Sequence, residues 1–275
     1  MVEDLGELGR LADANLARTW VTMGRAAGGA VGGPRDCPFV ASGIEEAFFN
    51  GIYATGPVVD PHGVLRDAIA FMSEQQVPWL LWVREGVDDA LVDLGRRAGL
   101  RDAGGPPCMG LTAIPSEPVR LDRFDSELVT GQDRLDVCLD VMARGYEVPN
   151  DLARRLVTRQ TIAEPDIGVV MGSVDGEPVS VALVNVTGTT AGIYNVATPP
   201  EHRRRGFGAA VTWAAIEEGR RRGCDHAVLQ ASELGAPVYR DMGFVELGHY
   251  VQLEGPPSVG SGECLPRGSN PEPMD

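Results

Sequence analysis

The stretch Ala191–Gly223, AGIYNVATPPEHRRRGFGAAVTWAAIEEGRRRG, limits what this chain can fold into more than any other. It reads as a strand, a break, a turn of arginines and glycines, and a helix. Ile193 and Val196 bring the β-branched content of a buried strand. Pro199 and Pro200 end it, because proline has no N–H to give a ladder. From Ala209 the pattern turns helical. Val211, Ala214, Ala215 and Glu218 recur at three- and four-residue steps, and Gly223 stands where a C-terminal glycine cap belongs.

The arginines at the two ends of this helix differ in their electrostatics. Arg220, Arg221 and Arg222 lie in its last turn, where the macrodipole favours cations. Arg203, Arg204 and Arg205 lie at its start, where the same dipole opposes them by about 0.3–1 kcal/mol each. A ligand of negative charge would offset that cost. Free N–H groups, glycines that admit a ligand to the backbone and nearby guanidinium groups together make an anion site, most naturally for a phosphate. The plainer alternative is a solvated basic turn.

Composition sets further bounds. At 275 residues the chain has room for two domains of ordinary size. A formal net charge of −15 argues against nucleic acid as a partner. There is no lysine, so a nucleotide-binding P-loop, which needs Gly-Lys-Ser/Thr after its glycines, is excluded. Cys37, Cys108, Cys138, Cys224 and Cys264 are widely spaced and form no metal-ligand pattern, so no metal is expected. They suit buried thiols in a reducing compartment. The N-terminal segment is acidic and amphipathic, unlike a signal peptide, and no apolar run reaches the roughly 18 residues of a membrane span. A soluble, cytoplasmic protein with no membrane partner is the expectation.

Along the chain, a first amphipathic helix ends near Trp20, and Gly24–Pro38 reads as a loop. A strand or two over Ala47–Thr55, a helix over 63–76, the strand Trp79–Val83, a helix over Val87–Ala98 and the strand Cys108–Ile114 follow. Pro115–Pro118 is a plausible linker. Helices over Asp133–Gly145 and Asn150–Gln160 come next, the second with Asn150 and Asp151 suited to its cap and first turn. The strands Val169–Val174 and Val179–Val186 are joined by Asp175-Gly176, a tight-hairpin signal, and with the organising strand they form an antiparallel meander. The short strand Ala227–Ala231, a helix over Leu234–Met242 and the strand Phe244–Leu253 follow, and residues 255–275 read as a disordered tail. The helix–Gly–strand unit Leu94–Gly104 echoes Val238–Gly248, which points to a duplicated fold. The first copy has Gly95 where the second has Tyr239, and the loop before its Gly63 helix has neither an arginine cluster nor a glycine pair.

Arg203-Arg204-Arg205-Gly206-Phe207-Gly208, set between strand and helix, resembles the acyl-CoA-binding motif R/Q-x-x-G-x-G/A of the GNAT acetyltransferases. Tyr239-Arg240-Asp241-Met242-Gly243-Phe244 is similar to that superfamily's Y-x-x-x-G-F segment. The likeness covers residues 119–253 well. Earlier in the chain it rests on element order and the echo. It implies an α/β (α+β) fold of two GNAT-like domains, each a mixed, mostly antiparallel twisted sheet flanked by helices. A degenerate copy would span 1–115 and a catalytic one 119–254. It further implies that backbone N–H groups from Arg204 through Ala209, with Arg203 beside them, hold the pyrophosphate of acetyl-CoA, and that Asn195, Val196 and Ala197 pair with its pantetheine amides.

Tyr239 matches the family's general acid at the departing sulfur, although a structural tyrosine would also fit. Ser232 stands where the family often has Asn, and still offers one hydrogen bond to the coenzyme. The base stays open among Glu147, Asp151, Glu164 and Glu246, each of which also reads as a surface carboxylate. His202 reads as a solvated loop histidine, His226 and His249 as structural, and Cys224 as a small buried residue. The implied activity is acetyl transfer to an amine of a small-molecule or peptide acceptor. The alternative is a catalytically inactive, acyl-CoA-binding regulatory protein.

Overall fold

The computed structural model describes residues 4–116, 121–233 and 235–255. The chain begins with helix α1 (Leu5–Ala26) and strands β1 (Ala30–Gly32), β2 (Phe39–Ala41) and β3 (Asn50–Tyr53). Helix α2 (Pro61–Gln75), β4 (Leu80–Arg84), α3 (Asp89–Arg97), β5 (Arg101–Asp102) and β6 (Pro107–Leu111) follow. After β7 (Phe124–Leu128) come α4 (Gln132–Tyr146), α5 (Asn150–Leu156) and α6 (Arg159–Ala163). The meander β8 (Ile167–Val174), β9 (Glu177–Thr187) and β10 (Thr190–Ala197) leads to α7 (Phe207–Arg221). Strand β11 (His226–Gln230), α8 (Gly235–Asp241) and β12 (Val245–Glu254) complete the described chain.

Local physics explains several departures from the sequence reading. Helix α1 continues to Ala26, and the expected loop behind it contains β1. The expected strand at 47–55 splits into a 3-10 turn, Ala47–Phe49, and β3. The expected helix at 150–160 breaks after Leu156, because Thr158 caps a new helix by a reciprocal capping box with Thr161. Pro149, not Asn150, precedes α5 as its cap residue. Strand β7 is almost wholly exposed, so no apolar alternation announces it. The Asp175-Gly176 hairpin forms as read, with φ of 51° and 83°.

The residues cluster into two compact units that cut across the expected division at 115. Residues up to Asn15 and from Pro107 to Leu247 form one, here the α7 unit. Leu16–Pro106 and the described residues from Gly248 onward form the other, the α2 unit. Strand pairing is the cause. Strand β6, expected to close the first half, pairs antiparallel with β11, from Ala227↔Leu111 to Gln230↔Cys108. Residues Tyr250–Glu254 of β12, expected to close the second half, pair antiparallel with β4. Each half of the sequence thus supplies the closing strand of the other half's sheet. Glu117 and Pro118 of the expected linker, and the expected tail from 256 on, lie outside the described residues.

In the α7 unit the strand order is β6-β11-β10-β9-β8-β7. The β10–β11 pair is parallel, and α7 is its crossover. Val211, Ala215 and Ile216 of α7 are fully buried against Ala191, Ile193 and Leu229. Burying Val211 and Ile216 contributes about 1.5–3 kcal/mol each. Gly219 brings α7 close to β10, since a Cβ there would lie 2.5 Å from Ala191 Cβ. At the helix end Arg220, Arg221 and Arg222 pair with Glu217 and Glu218. On the other face of the sheet the wholly buried Asn15 of α1 reaches the hairpin strands. Its Nδ2 donates to Asn185 O at 3.0 Å, and its Oδ1 accepts from the Tyr194 hydroxyl at 2.6 Å. Gly192 leaves room for it, because a Cβ there would stand 1.8 Å from Asn15 Oδ1.

The α2 unit has strand order β1-β2-β3-β4-β12, with β5 on the far side of β12. Here β3 and β4 are the parallel pair and α2 is the crossover. Leu65, Ala68, Met72, Leu81, Leu91 and Leu253 form its core. Burial pushes the Cys37 and Cys138 thiols up to about 12 and Cys224 to about 11, which removes thiolate chemistry from them near neutral pH. Among the described residues no group of side chains could hold a metal ion, and no helix is long and apolar enough to cross a membrane.

Asn15→Ala is expected to destabilise the protein by about 1–3 kcal/mol, because a buried hydroxyl and backbone carbonyls lose their partner. Equilibrium urea unfolding measures it as a lowered midpoint.

Candidate functional site

The site is built where β10 leaves its parallel neighbour. Register with β11 runs from Thr190↔His226 to Ile193↔Leu229 and stops there. Strand β11 continues along β6 to Gln230, whereas β10 stays with β9 to Ala197. Between Tyr194 and Ala197 the β10–β9 register shifts by one residue, a bulge in which Asn195 takes φ 51°. The two strands part, and the β11 side of Asn195, Val196 and Ala197 has no strand partner among the described residues. Each of the two strands carries a buried amide donor near this point. Asn195 Nδ2 and Gln230 Nε2 are buried and make no hydrogen bond among the described residues. An orphaned buried donor is costly, so both call for an acceptor such as a ligand carbonyl.

Past Ala197 the chain turns through Pro199 and a 3-10 turn, Pro200–His202, into the arginines. Arg204 (φ 58°) and Gly206 (φ 81°) are both left-handed, and at Gly206 only glycine is comfortable. Helix α7 starts at Phe207 with no side-chain cap, and its first bond runs from Ala210 N–H to Gly206 C=O at 2.9 Å. The N–H groups of Phe207, Gly208 and Ala209 therefore precede the first helical hydrogen bond. A Cβ at Gly206 or Gly208 would meet no protein atom closer than 3.5 Å, so the space before the helix is clear. This geometry makes the turn a candidate anion site, with the dipole's positive end beside it.

The three arginines do not act alike. Arg203 turns inward: its Nε donates to Thr198 O at 3.1 Å and its Nη2 to Gly145 O at 2.9 Å, and Glu147 stands 3.3 Å away. Its charge is spent on holding the turn to the end of α4, so it is not a free phosphate ligand. Arg204 and Arg205 are exposed, and Arg205 lies 4.7 Å over the Phe207 ring. Phe207 is buried and stacks on Phe124. His202, expected to be solvated, is instead buried beside Phe207, with Glu177 at 3.6 Å.

Tyr239 enters from α8 and is 7% exposed. Its ring lies 5.9 Å from that of Phe244, whose N–H bonds back to Tyr239 O at 2.9 Å. Ser232 is occupied locally: its Oγ accepts from Gly235 N–H at 3.0 Å, at the start of α8. The sequence reading missed a second phenol. Tyr146 ends α4, and burial first, then the neighbouring Tyr239, push its hydroxyl above the ordinary phenol range. No motif marks it, because its partner lies far along the chain.

The carboxylates remain dispersed. Glu147 pairs with Arg203 and Glu246 with Arg240, while Asp151 is exposed and Glu164 follows the end of α6. The His226 ring bonds Thr112 O at 2.8 Å, a structural role as read.

Residues 138–244 match the model of the acetyltransferase (GNAT) family. A GCN5-related N-acetyltransferase from Kribbella flavida shares the fold, with TM-score 0.66, 19% identity and coverage of 87% of this chain and 95% of that one. One from Sphaerobacter thermophilus aligns with TM-score 0.57 and 16% identity over 80% of this chain and 76% of that one. A tandem GNAT protein from the clavulanic acid biosynthesis pathway aligns with TM-score 0.56 and 13% identity over 82% and 79%. No curated protein matches.

Inorganic pyrophosphate is expected to raise the unfolding temperature of the wild type but not of Gly206→Glu, whose carboxylate would stand in the anion site. The substitution alone costs about 1–3 kcal/mol for a left-handed non-glycine residue. Scanning calorimetry with and without pyrophosphate separates the two effects.

Proposed function

We propose that this chain is an acetyl-CoA-dependent N-acyltransferase that moves an acetyl group to an amine of a small-molecule or peptide acceptor. The observation that carries this is the parting of β10 from β11, in line with the uncapped start of α7. The family match at 138–244 spans both. In this reading the N–H groups and exposed arginines over Arg204–Ala209 hold the coenzyme's diphosphate. The free edge of Asn195–Ala197 pairs with the pantetheine amides, and the orphaned amides of Asn195 and Gln230 find acceptors there. Ser232 shapes the start of α8 rather than binding the coenzyme through its cap-forming oxygen lone pair. Tyr239 protonates the departing sulfur. Four buried thiols fit a cytoplasmic setting.

We read the α2 unit as a second, degenerate copy. Its pairing order repeats that of the α7 unit: an antiparallel hairpin, a parallel crossover pair, then an antiparallel closing strand. Its parallel ladder ends at Tyr53↔Trp82, with Ala54 N–H donating to Trp82 O at 3.1 Å. The start of α2 is filled by its own Asp60, whose Oδ1 accepts from Gly63 N–H at 2.9 Å. The copy therefore lacks an open anion site at its helix start.

Titration calorimetry should find one acetyl-CoA per chain, unaffected by Asp60→Ala and abolished by Gly206→Glu. A thiol-release assay over an amine panel then tests transfer, with Tyr239→Phe expected to lower kcat by about 10²-fold at unchanged coenzyme affinity. Binding without turnover on any amine, indifferent to Tyr239→Phe, would instead establish the inactive, acyl-CoA-binding regulatory protein.

A further inference from the structure

We propose, on the reading of the arginine turn as an anion site, that His202 and Glu177 form a proton-operated latch, in which the ring takes up a proton as a diphosphate docks and pairs with the carboxylate. His202 ends the 3-10 turn Pro200–His202 that feeds the arginines. It is only 6% exposed, and neither ring nitrogen has a hydrogen-bond partner among the described residues. A neutral imidazole so placed leaves a donor and an acceptor unsatisfied. Glu177, the first residue of β9, holds its Oε1 3.6 Å from His202 Nε2, and its side chain is 70% exposed. A proton on the ring turns this contact into an ion pair, and the exposed carboxylate is free to swing in.

The other charges around the ring are committed elsewhere. Glu201, its neighbour in the turn, pairs with Arg144 of α4. Arg203, on its other side, bonds Thr198 O and Gly145 O and pairs with Glu147. In the β8–β9 hairpin Asp175 pairs with Arg123. The start of α7 presents the Phe207 ring at 6.4 Å, with Phe124 of β7 stacked on it. Arg204 and Arg205 remain, both exposed. Glu177 is thus the counter-charge on offer.

The latch bears on the anion turn because His202 lies two residues before Arg204. Its ring also packs by Phe207, whose N–H is one of the donors at the helix start. A charge on the ring and an anion at that start attract, so each binding event favours the other. Low pH fastens the latch and tightens the anion. As the pH rises through the imidazole range, the proton, the ion pair and the gain in affinity are lost together.

The test is the affinity for inorganic pyrophosphate from about pH 5.5 to about pH 8, measured by titration calorimetry for the wild type, His202→Gln and Glu177→Gln. Pyrophosphate titrates as well, but equally for all three proteins, so differences between them isolate the latch. Wild-type affinity should fall over this range by about 5–10-fold more than that of His202→Gln, the low end of coupling between sites. Its binding heat in two buffers of different ionisation enthalpy should show proton uptake that His202→Gln lacks. Glu177→Gln alters an exposed side chain, so it reports even where His202→Gln fails to fold, and its fall should be smaller than the wild type's. A wild-type pH profile parallel to that of either variant would overturn the latch. Pyrophosphate binding at no pH would refute the anion site, and the docking half of the proposal with it. Melting temperatures then decide the ion pair: the wild type should exceed Glu177→Gln at about pH 5.5 and match it at about pH 8. An equal gap at both would overturn it.

Discussion

Strands β10 and β11 run side by side over the register Thr190–Ile193 only, and the shape of the candidate site depends on where that pairing stops. A sheet that stayed closed would bury its ladder hydrogen bonds and offer nothing to a ligand. The bulge at Asn195 turns β10 away from β11 without breaking its ladder to β9, and the proline pair then takes the chain out of the sheet. What remains is a length of β10 edge with no strand partner among the described residues, leading to a helix start. The α2 unit offers a contrast. With the same pairing order but an aspartate over its helix start, it fills that helix start by a hydrogen bond of its own.

The electrostatics of the turn follow a division of labour that a charge count hides. In a chain of net charge −15, three adjacent arginines at the positive end of a helix look like a single basic patch. One of them is turned inward onto two carbonyls and a carboxylate and acts as a clamp, while Arg204 and Arg205 stay at the surface. The clamp links the arginine turn to the end of α4. Geometry at one site is thereby tied to geometry at the other.

Features written in contiguous residues were legible in the sequence. The glycine–arginine turn, the Asp175-Gly176 hairpin, the α7 stripe and the antiparallel meander all follow from local spacing, and the structure has them. Features made by distant pairing were not. Cys108–Leu111 and Tyr250–Glu254 read correctly as strands, yet nothing within either run says which sheet it joins. Gln230 and Tyr146 carry no motif, and their interest arises only from what lies opposite them. Exposed β7 was invisible because its polar residues hide any alternation.

The exchange of closing strands bears on how the protein is made. The partner of β6 is β11, more than a hundred residues later, and β4 waits for the last described strand. A chain emerging from the ribosome can finish the α7 unit's sheet only after Gln230 is out, and the α2 unit's only after Glu254. Both edges stay open through most of synthesis, and each is a template for the wrong neighbour. Folding of the two halves is bound into one late event, and a nascent fragment of either half alone would carry an unsealed edge.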